Sequence, residues 1–171
     1  IFIFTLFINP AQSDEDTMIL KLKTGNVIIE LFNDTAPNHV KRFKQLAIEK
    51  KYDGVVFHRV IDGFMAQTGD VKFGNSNLET YNIKKAGTGG SEYPDLKAEF
   101  SDIPHERGTL SMARSSSPNS ANSQFFICFE SAPHLDRQYT VFGKVLKGME
   151  FIDLIKRGKD SSGAVETPDK I

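Results

Sequence analysis

Between Arg59 and Gln67 the chain places a guanidinium, an aromatic ring, a thioether and a primary amide, in the stretch VVFHRVIDGFMAQTGD that runs from Val55 to Asp70. The group lacks an obvious nucleophile. Arg59 offers a rigid fork of N–H donors whose charge is permanent near neutral pH, and Gln67 offers both a donor and an acceptor. Phe64 and Met65 supply apolar surface. A fixed cation and an amide beside a shallow apolar notch suit an extended peptide better than a charged metabolite. The competing reading pairs Arg59 with a carboxylate and leaves Gln67 as a solvated strand residue.

Two apolar runs, Val55–Ile61 and Phe64–Gln67, are joined by Asp62-Gly63, the strongest short hairpin signal. Strand alternation puts Val55, Phe57, Arg59 and Ile61 on one face and Val56, His58 and Val60 on the other. Met65 and Gln67 then share a face of the second run. Upstream, Met18–Lys23 and Val27–Phe32 alternate about a Thr24-Gly25-Asn26 turn, a further hairpin. Pro37 opens an amphipathic helix carrying Val40, Phe43, Leu46 and Ala47 at helical spacing to about Lys50, with Lys41, Arg42 and Lys44 on a solvated face.

Val71–Glu99 shows no periodic run and reads as a long irregular connection around Gly87-Thr88-Gly89-Gly90. That cluster lacks the Lys-Ser/Thr ending of a phosphate loop, so a tight turn is expected. Gly108–Ala113, Gln124–Phe129 and Tyr139–Val145 read as strands, with Gln124, Phe126 and Cys128 sharing a face. Met149–Ile155 suits a second helix ending near Gly158. Six or seven strands with two helices point to an antiparallel barrel or sandwich with helices at its ends.

Ile1–Ile8 (IFIFTLFI) is too short for a bilayer span, which needs roughly 20 residues. With Ala11-Gln12-Ser13 as a small-x-small site, residues 1–13 read as the remnant of a signal peptide ahead of one domain over 14–171. The other reading is a buried N-terminal strand. The leader favours a periplasmic or secreted protein, with the cytoplasm as the alternative, and no stable membrane insertion once it is removed. A formal net charge of −1 gives no electrostatic case for nucleic acid. The single cysteine, Cys128, lies in an apolar run and is expected to be buried and inert. Four scattered histidines show no metal-ligand spacing, and His58 reads as a satisfied structural residue. Ser115–Ser117 sit in no nucleophile-elbow motif.

FHRVIDGFMAQTGD at 57–70, AGTGGSEYPDLKAEF at 86–100, SMAR at 111–114, SQFFICF at 123–129 and LDRQYTVFGKV at 135–145 together resemble the cyclophilin family of peptidyl-prolyl cis–trans isomerases, in a bacterial-like form. The resemblance spans about Met18 to Ile171. It implies a mainly β fold, a closed eight-stranded antiparallel barrel capped by two α-helices, with substrate in a groove on the outer surface. Arg59 matches the family's catalytic arginine and Gln67 its ligand for the substrate carbonyl. Phe64, Met65, Phe126 and Leu135 match the walls of the proline pocket, and Gln124 supports its floor. Ala113, Arg114 and Ser115 match the segment that binds the peptide through its backbone.

The same resemblance implies an isomerase that uses neither cofactor nor metal, acts as a monomer, and takes proline-containing peptides and folding proteins. Its alternative is a proline-peptide-binding chaperone module with little catalysis. His134 stands where well-known members have Trp and Tyr139 where they have His, so binding of a cyclosporin-type inhibitor is expected to be weakened. The 114–122 loop looks one residue longer than theirs. The family continues beyond the position of Ile171 into a strand that closes the barrel beside the first, so either that strand is absent or closure is imperfect.

Overall fold

The computed structural model describes residues 16–171. The leader-like residues 1–13 lie outside that range. The elements run β1 (Thr17–Leu22), β2 (Gly25–Leu31), α1 (Pro37–Ile48), β3 (Arg59–Ile61), β4 (Met65–Thr68), β5 (Thr109–Met112), β6 (Phe125–Cys128), a 3-10 turn (Pro133–Leu135), β7 (Val141–Lys147) and α2 (Met149–Asp153). All strand pairs are antiparallel, in the order β1-β2-β7-β5-β6-β4-β3.

The expected closed eight-stranded barrel is not formed. Seven strands make an open, curled half-barrel, because β1 pairs only with β2 and β3 only with β4 among the described residues. Beside β3 runs the C-terminal segment, held at isolated positions rather than as a ladder: Val56 bridges Lys170 and Arg59 bridges Ala164. Pro168 in that segment has no N–H to give. Between β1 and Ile171 remains an apolar cleft lined by Met18, Leu20, Ile29, Phe43 and Tyr52.

Alternation sorts the side chains into two apolar groups. Inside the curl, Ile29, Val60, Ala66, Leu110, Phe125, Ile127 and Phe142 pack with Val40, Phe43 and Leu46 of α1. Phe43 meets Phe125 edge-on at 5.1 Å between ring centroids, a favoured aromatic geometry. On the outer face a smaller group joins Met65, Phe126, Cys128, Ala132 and Leu135.

Local expectations fail where the chain leaves regular pairing. The apolar run predicts one strand over Val55–Ile61, yet only Arg59–Ile61 forms a ladder. The Val56 N–H goes to Gly74 and the Phe57 N–H to Asp169. The faces therefore switch at His58: Val55, Phe57 and Val60 all enter the inner core, whereas Arg59 leaves it. Arg42, placed by periodicity on a solvated face, is buried and donates to the carbonyls of Pro94 and Asn122. The second helix stops at Asp153 rather than near Gly158. Arg157 binds the carbonyls of Asp153 and Ile155, and the Gly158 N–H is donated to Val60. As expected, residues 71–99 contain no helix or strand ladder.

Candidate active site

Registers across four strands create the site. Arg59 on β3 is the partner of Gln67 on β4, Gln67 is the partner of Phe126 on β6, and Phe126 is the partner of Ser111 on β5. With neighbouring strands about 4.8 Å apart, the root of Arg59 lies roughly 10 Å from that of Phe126, with Gln67 between. Met65, two residues along from Gln67, falls on the same outer face. The face-sharing expected for Met65 with Gln67, and for Phe126 with Cys128, is what the ladder produces, whereas Gln124 lies just before β6 and meets Gln67 through a side-chain hydrogen bond.

Phe126, Met65 and Leu135 are buried at the base of the outer group, with half-buried Phe64, Ala113 and Tyr139 packed around them. Tyr139 meets Phe126 edge-on at 5.9 Å. The exposed His134 ring lies 5.4 Å from Phe64. The Arg114 guanidinium sits 4.4 Å over Tyr139 and is held by the carbonyls of Gln138, Ser115 and Ser116. The Ala113 N–H is spent on the Gln124 carbonyl and the Ser115 N–H on Ser120 Oγ. Of Ala113's two backbone groups, only the carbonyl is left to offer a peptide.

A one-way chain of hydrogen bonds fixes the polar side. Arg59 Nε donates to the Ser162 carbonyl at 3.0 Å, and Nη1 donates to Gln67 Oε1 at 3.3 Å. Gln67 Nε2 donates to Gln124 Oε1 at 3.0 Å, and Gln124 Nε2 donates to the carbonyls of Gly87 and Gly89. Each amide is thereby oriented, oxygen toward Arg59's side and nitrogen toward the glycine loop. Among the described residues Arg59 pairs with no carboxylate, which removes the simplest structural explanation for it. Its Nη2 group has no protein partner among the described residues.

The glycine cluster is a turn closed on the protein's own carboxylate. Gly87 and Gly89 both donate N–H to Asp70 Oδ2, at 2.8 and 2.9 Å, while Lys72 and Phe73 donate theirs to Oδ1. At Gly87 φ is +98°, and a Cβ would stand 2.9 Å from the His58 ring, so both backbone and space require glycine. His58 is buried with neither ring nitrogen hydrogen-bonded, contrary to the satisfied histidine expected. Burial lowers its pKa to about 4, against the opposing pull of Asp70. Between this loop and Ala113–Ser115 lies a polar cleft of about 390 Å³ with Gln67 and Gln124 on its floor.

Beneath Phe126 lies a set that the sequence did not flag, buried at His105 and Ser111 and half-exposed at Asp136. The His105 ring stacks on Phe126 at 6.2 Å, with Nδ1 on Asp136 and Nε2 on Ser111 Oγ, each at 2.9 Å. Ser111 is fully buried, so the trio supports the pocket and offers no accessible nucleophile. Cys128 is buried and its thiol pKa is pushed up to about 12, mainly by burial. Among the described residues no cluster of His, Cys, Asp and Glu is arranged to hold a metal ion, and no helix is long and apolar enough to cross a membrane.

The model of the cyclophilin type peptidyl-prolyl cis-trans isomerase/CLD family matches residues 17–171. A probable peptidyl-prolyl cis-trans isomerase of Brucella suis is 59% identical over 162 residues, covering 94% of this chain and 82% of its own. A peptidyl-prolyl cis-trans isomerase of Helicobacter pylori is 40% identical, covering 87% of this chain and 86% of its own. Among solved structures, a cyclophilin type isomerase of Cryptosporidium parvum, crystallised in the presence of the dipeptide Ala-Pro, superposes with a TM-score of 0.77 at 29% identity, over 91% of this chain and 94% of its own. With a family match over nearly its whole length and a catalogue of relatives that carry the same activity in their names, the chain belongs to the cyclophilin-type peptidyl-prolyl cis–trans isomerases.

Proposed function

We propose that this isomerase lowers the X–Pro rotation barrier by presenting Arg59 to the imide nitrogen as it twists out of conjugation. The barrier is about 18–20 kcal/mol because the nitrogen lone pair is shared with the carbonyl. Twisting the bond frees that lone pair to accept a hydrogen bond. Arg59 has N–H groups left over after its bonds to Ser162 and Gln67, so it can donate without first breaking its anchors. The apolar group around Met65, Phe126 and Leu135 takes the proline ring. Gln67 Nε2, with one hydrogen on Gln124, keeps a second for a substrate carbonyl.

Magnitudes divide the work. A millionfold acceleration needs about 8 kcal/mol. One charge-assisted hydrogen bond contributes roughly 1.5–3 kcal/mol net, so desolvation in the notch and anchoring of the flanking chain supply the larger share. No covalent intermediate is needed. The observation that supports this reading most is the in-register row Arg59–Gln67–Phe126, which sets cation, amide and apolar floor one strand apart. Cis–trans relaxation of a proline tetrapeptide, followed with parent and Arg59→Ala proteins, tests it; equal rates would remove Arg59 from the mechanism. The same assay separates catalysis from a chaperone that holds proline peptides without turning them over.

A further inference from the structure

Beside β3 the chain from Gly158 to Val165 stands in for a neighbouring strand, and Arg59 lies in the middle of that contact. The Gly158 N–H donates to the Val60 carbonyl at 2.9 Å, the Val60 N–H to the Gly163 carbonyl at 2.7 Å and the Val165 N–H to the His58 carbonyl at 3.1 Å. Gly163 is pressed against β3: its φ is +75°, and a Cβ there would stand 2.5 Å from Ile61 Cγ1. The segment is thereby held at one depth and one register on the strand that carries Arg59.

Asp160 folds the tip of this segment. It opens a turn closed by its own carbonyl, which accepts the Gly163 N–H at 3.0 Å. Its carboxylate Oδ1 accepts the Ser162 N–H at 2.9 Å and the Ser162 hydroxyl as well. Ser162 Oγ in turn accepts the Ala164 N–H at 3.2 Å. The peptide planes on both sides of Ser162 are thus tied to Asp160. A trans peptide points its N–H and C=O in opposite directions, so holding the Gly163 N–H on Asp160 aims the Ser162 carbonyl the other way. That carbonyl is the one that receives Arg59 Nε, at 3.0 Å. The hydroxyl and then the N–H of Ser162 hold the Asp160 carboxyl below its usual range, which keeps the clasp ionised near neutral pH.

A planar guanidinium held at one nitrogen can swing about that bond, whereas two anchors fix its plane. Gln67 takes Nη1 and Ser162 takes Nε. We infer that Asp160 is a positioning residue for isomerisation: it aims the Ser162 carbonyl that fixes the plane of the Arg59 guanidinium, so that the remaining N–H groups face the twisted imide. This rests on the role given to Arg59 above. The apolar notch of Met65, Phe126 and Leu135 is built on β4, β6 and the 3-10 turn, so the grip on the proline ring survives a loosened Asp160 turn. A misaimed cation then slows the twisted state and leaves binding alone.

The test separates kcat from KM for cis–trans isomerisation of a proline tetrapeptide. Asp160→Ala is expected to lower kcat about tenfold, with KM within about twofold of the parent. Asp160→Asn keeps an oxygen in place for both Ser162 donors and should hold kcat within about threefold of the parent. Asp160→Glu keeps the charge but moves the oxygen, and should resemble Asp160→Ala. Asp160→Asn as slow as Asp160→Ala, or Asp160→Glu as fast as the parent, overturns the inference. This pair decides even if the alanine variant fails to fold. Lys159→Ala removes an exposed ion pair with Glu166 on the same loop and should leave both constants unchanged. An equal loss there would mean that any loosening of the loop suffices, and overturns the inference too. Placed in Arg59→Ala protein, Asp160→Ala should slow turnover no further, because the turn acts through the guanidinium. The same fold-loss in both backgrounds overturns that route. Parent-like kcat in Asp160→Ala beside a slow Arg59→Ala removes Asp160 and leaves Arg59 standing. An Arg59→Ala enzyme as fast as the parent instead overturns the reading on which the inference rests.

Discussion

Arg59 and Ser162 lie 103 residues apart, yet the Nε of one donates to the backbone carbonyl of the other at 3.0 Å. That bond, with the one to Gln67, leaves the outer end of the guanidinium for substrate. Removing the side chain in Arg59→Ala is expected to lower kcat/KM on a proline tetrapeptide about a hundred- to a thousandfold. Two hydrogen bonds of a half-exposed group are lost, so stability should change by only about 1–2 kcal/mol in urea unfolding. Arg59→Lys should also be slow, because one ammonium cannot reach Ser162, Gln67 and a substrate together. A fast Arg59→Ala enzyme with an intact fold would sink the role given to this side chain.

Gly87→Ala tests the loop behind the site. The new methyl group would lie 2.9 Å from two atoms of the buried His58 ring, at a φ of +98° that alanine adopts only under strain. The N–H and carbonyl of Gly87 are both committed, to Asp70 and Gln124, so relief by moving the loop breaks those bonds. We expect a loss of about 1–3 kcal/mol in urea unfolding and a raised KM, since Gln124 loses one of its two carbonyl anchors. Thr88→Ala, at an exposed neighbour, should change neither by much. Similar stabilities for the two variants would show that the loop has room to yield.

Acid should weaken the fold through His58. Its pKa is lowered from 6.5 to about 4 by burial, so between those values the unfolded chain binds a proton that the folded one refuses. Stability is full above the unfolded value, falls as pH drops through the window from about 6.5 to 4, and levels off below it. The loss from this residue is about 3 kcal/mol. His39 and His105 are lowered in the same direction by burial, opposed by Glu99 and Asp136, and add to the slope. Urea unfolding at several pH values should give His58→Gln a visibly shallower dependence than the parent. Parallel curves would mean that His58 takes up its proton as readily in the folded state.

Where pairing is regular, the sequence was readable. Met65 shares a face with Gln67, and Phe126 with Cys128, because β4 and β6 are true ladders and the period of two holds. Alternation sets Arg59 on the face of Phe57, whereas in the fold the Val56 and Phe57 N–H groups go to Gly74 and Asp169 in turn rather than to one strand, and the faces switch. Its partner Ser162 left no local trace, since nothing in a polar loop marks which carbonyl will face an arginine 103 residues away. Periodicity likewise set Arg42 in solvent, without knowledge of the 94–122 segment that covers it. Barrel closure was inferred from likeness to relatives, and closure depends on two edges meeting, which here they do not.

His134 offers a last test at the rim of the notch. Its ring is exposed and tilted 40° against Phe64 at 5.4 Å, on the 3-10 turn that also presents Leu135 to the pocket. For a large apolar ligand lying across this rim, imidazole offers less contact area than an indole would. Inhibition of the parent is therefore expected to be weak, and His134→Trp should lower the inhibition constant about tenfold, equivalent to roughly 1.4 kcal/mol of binding. The comparison is an inhibitor titration of peptide isomerisation with both proteins. Equal inhibition constants would place the inhibitor's grip elsewhere on the groove, with Phe126 and Tyr139 as the next residues to change.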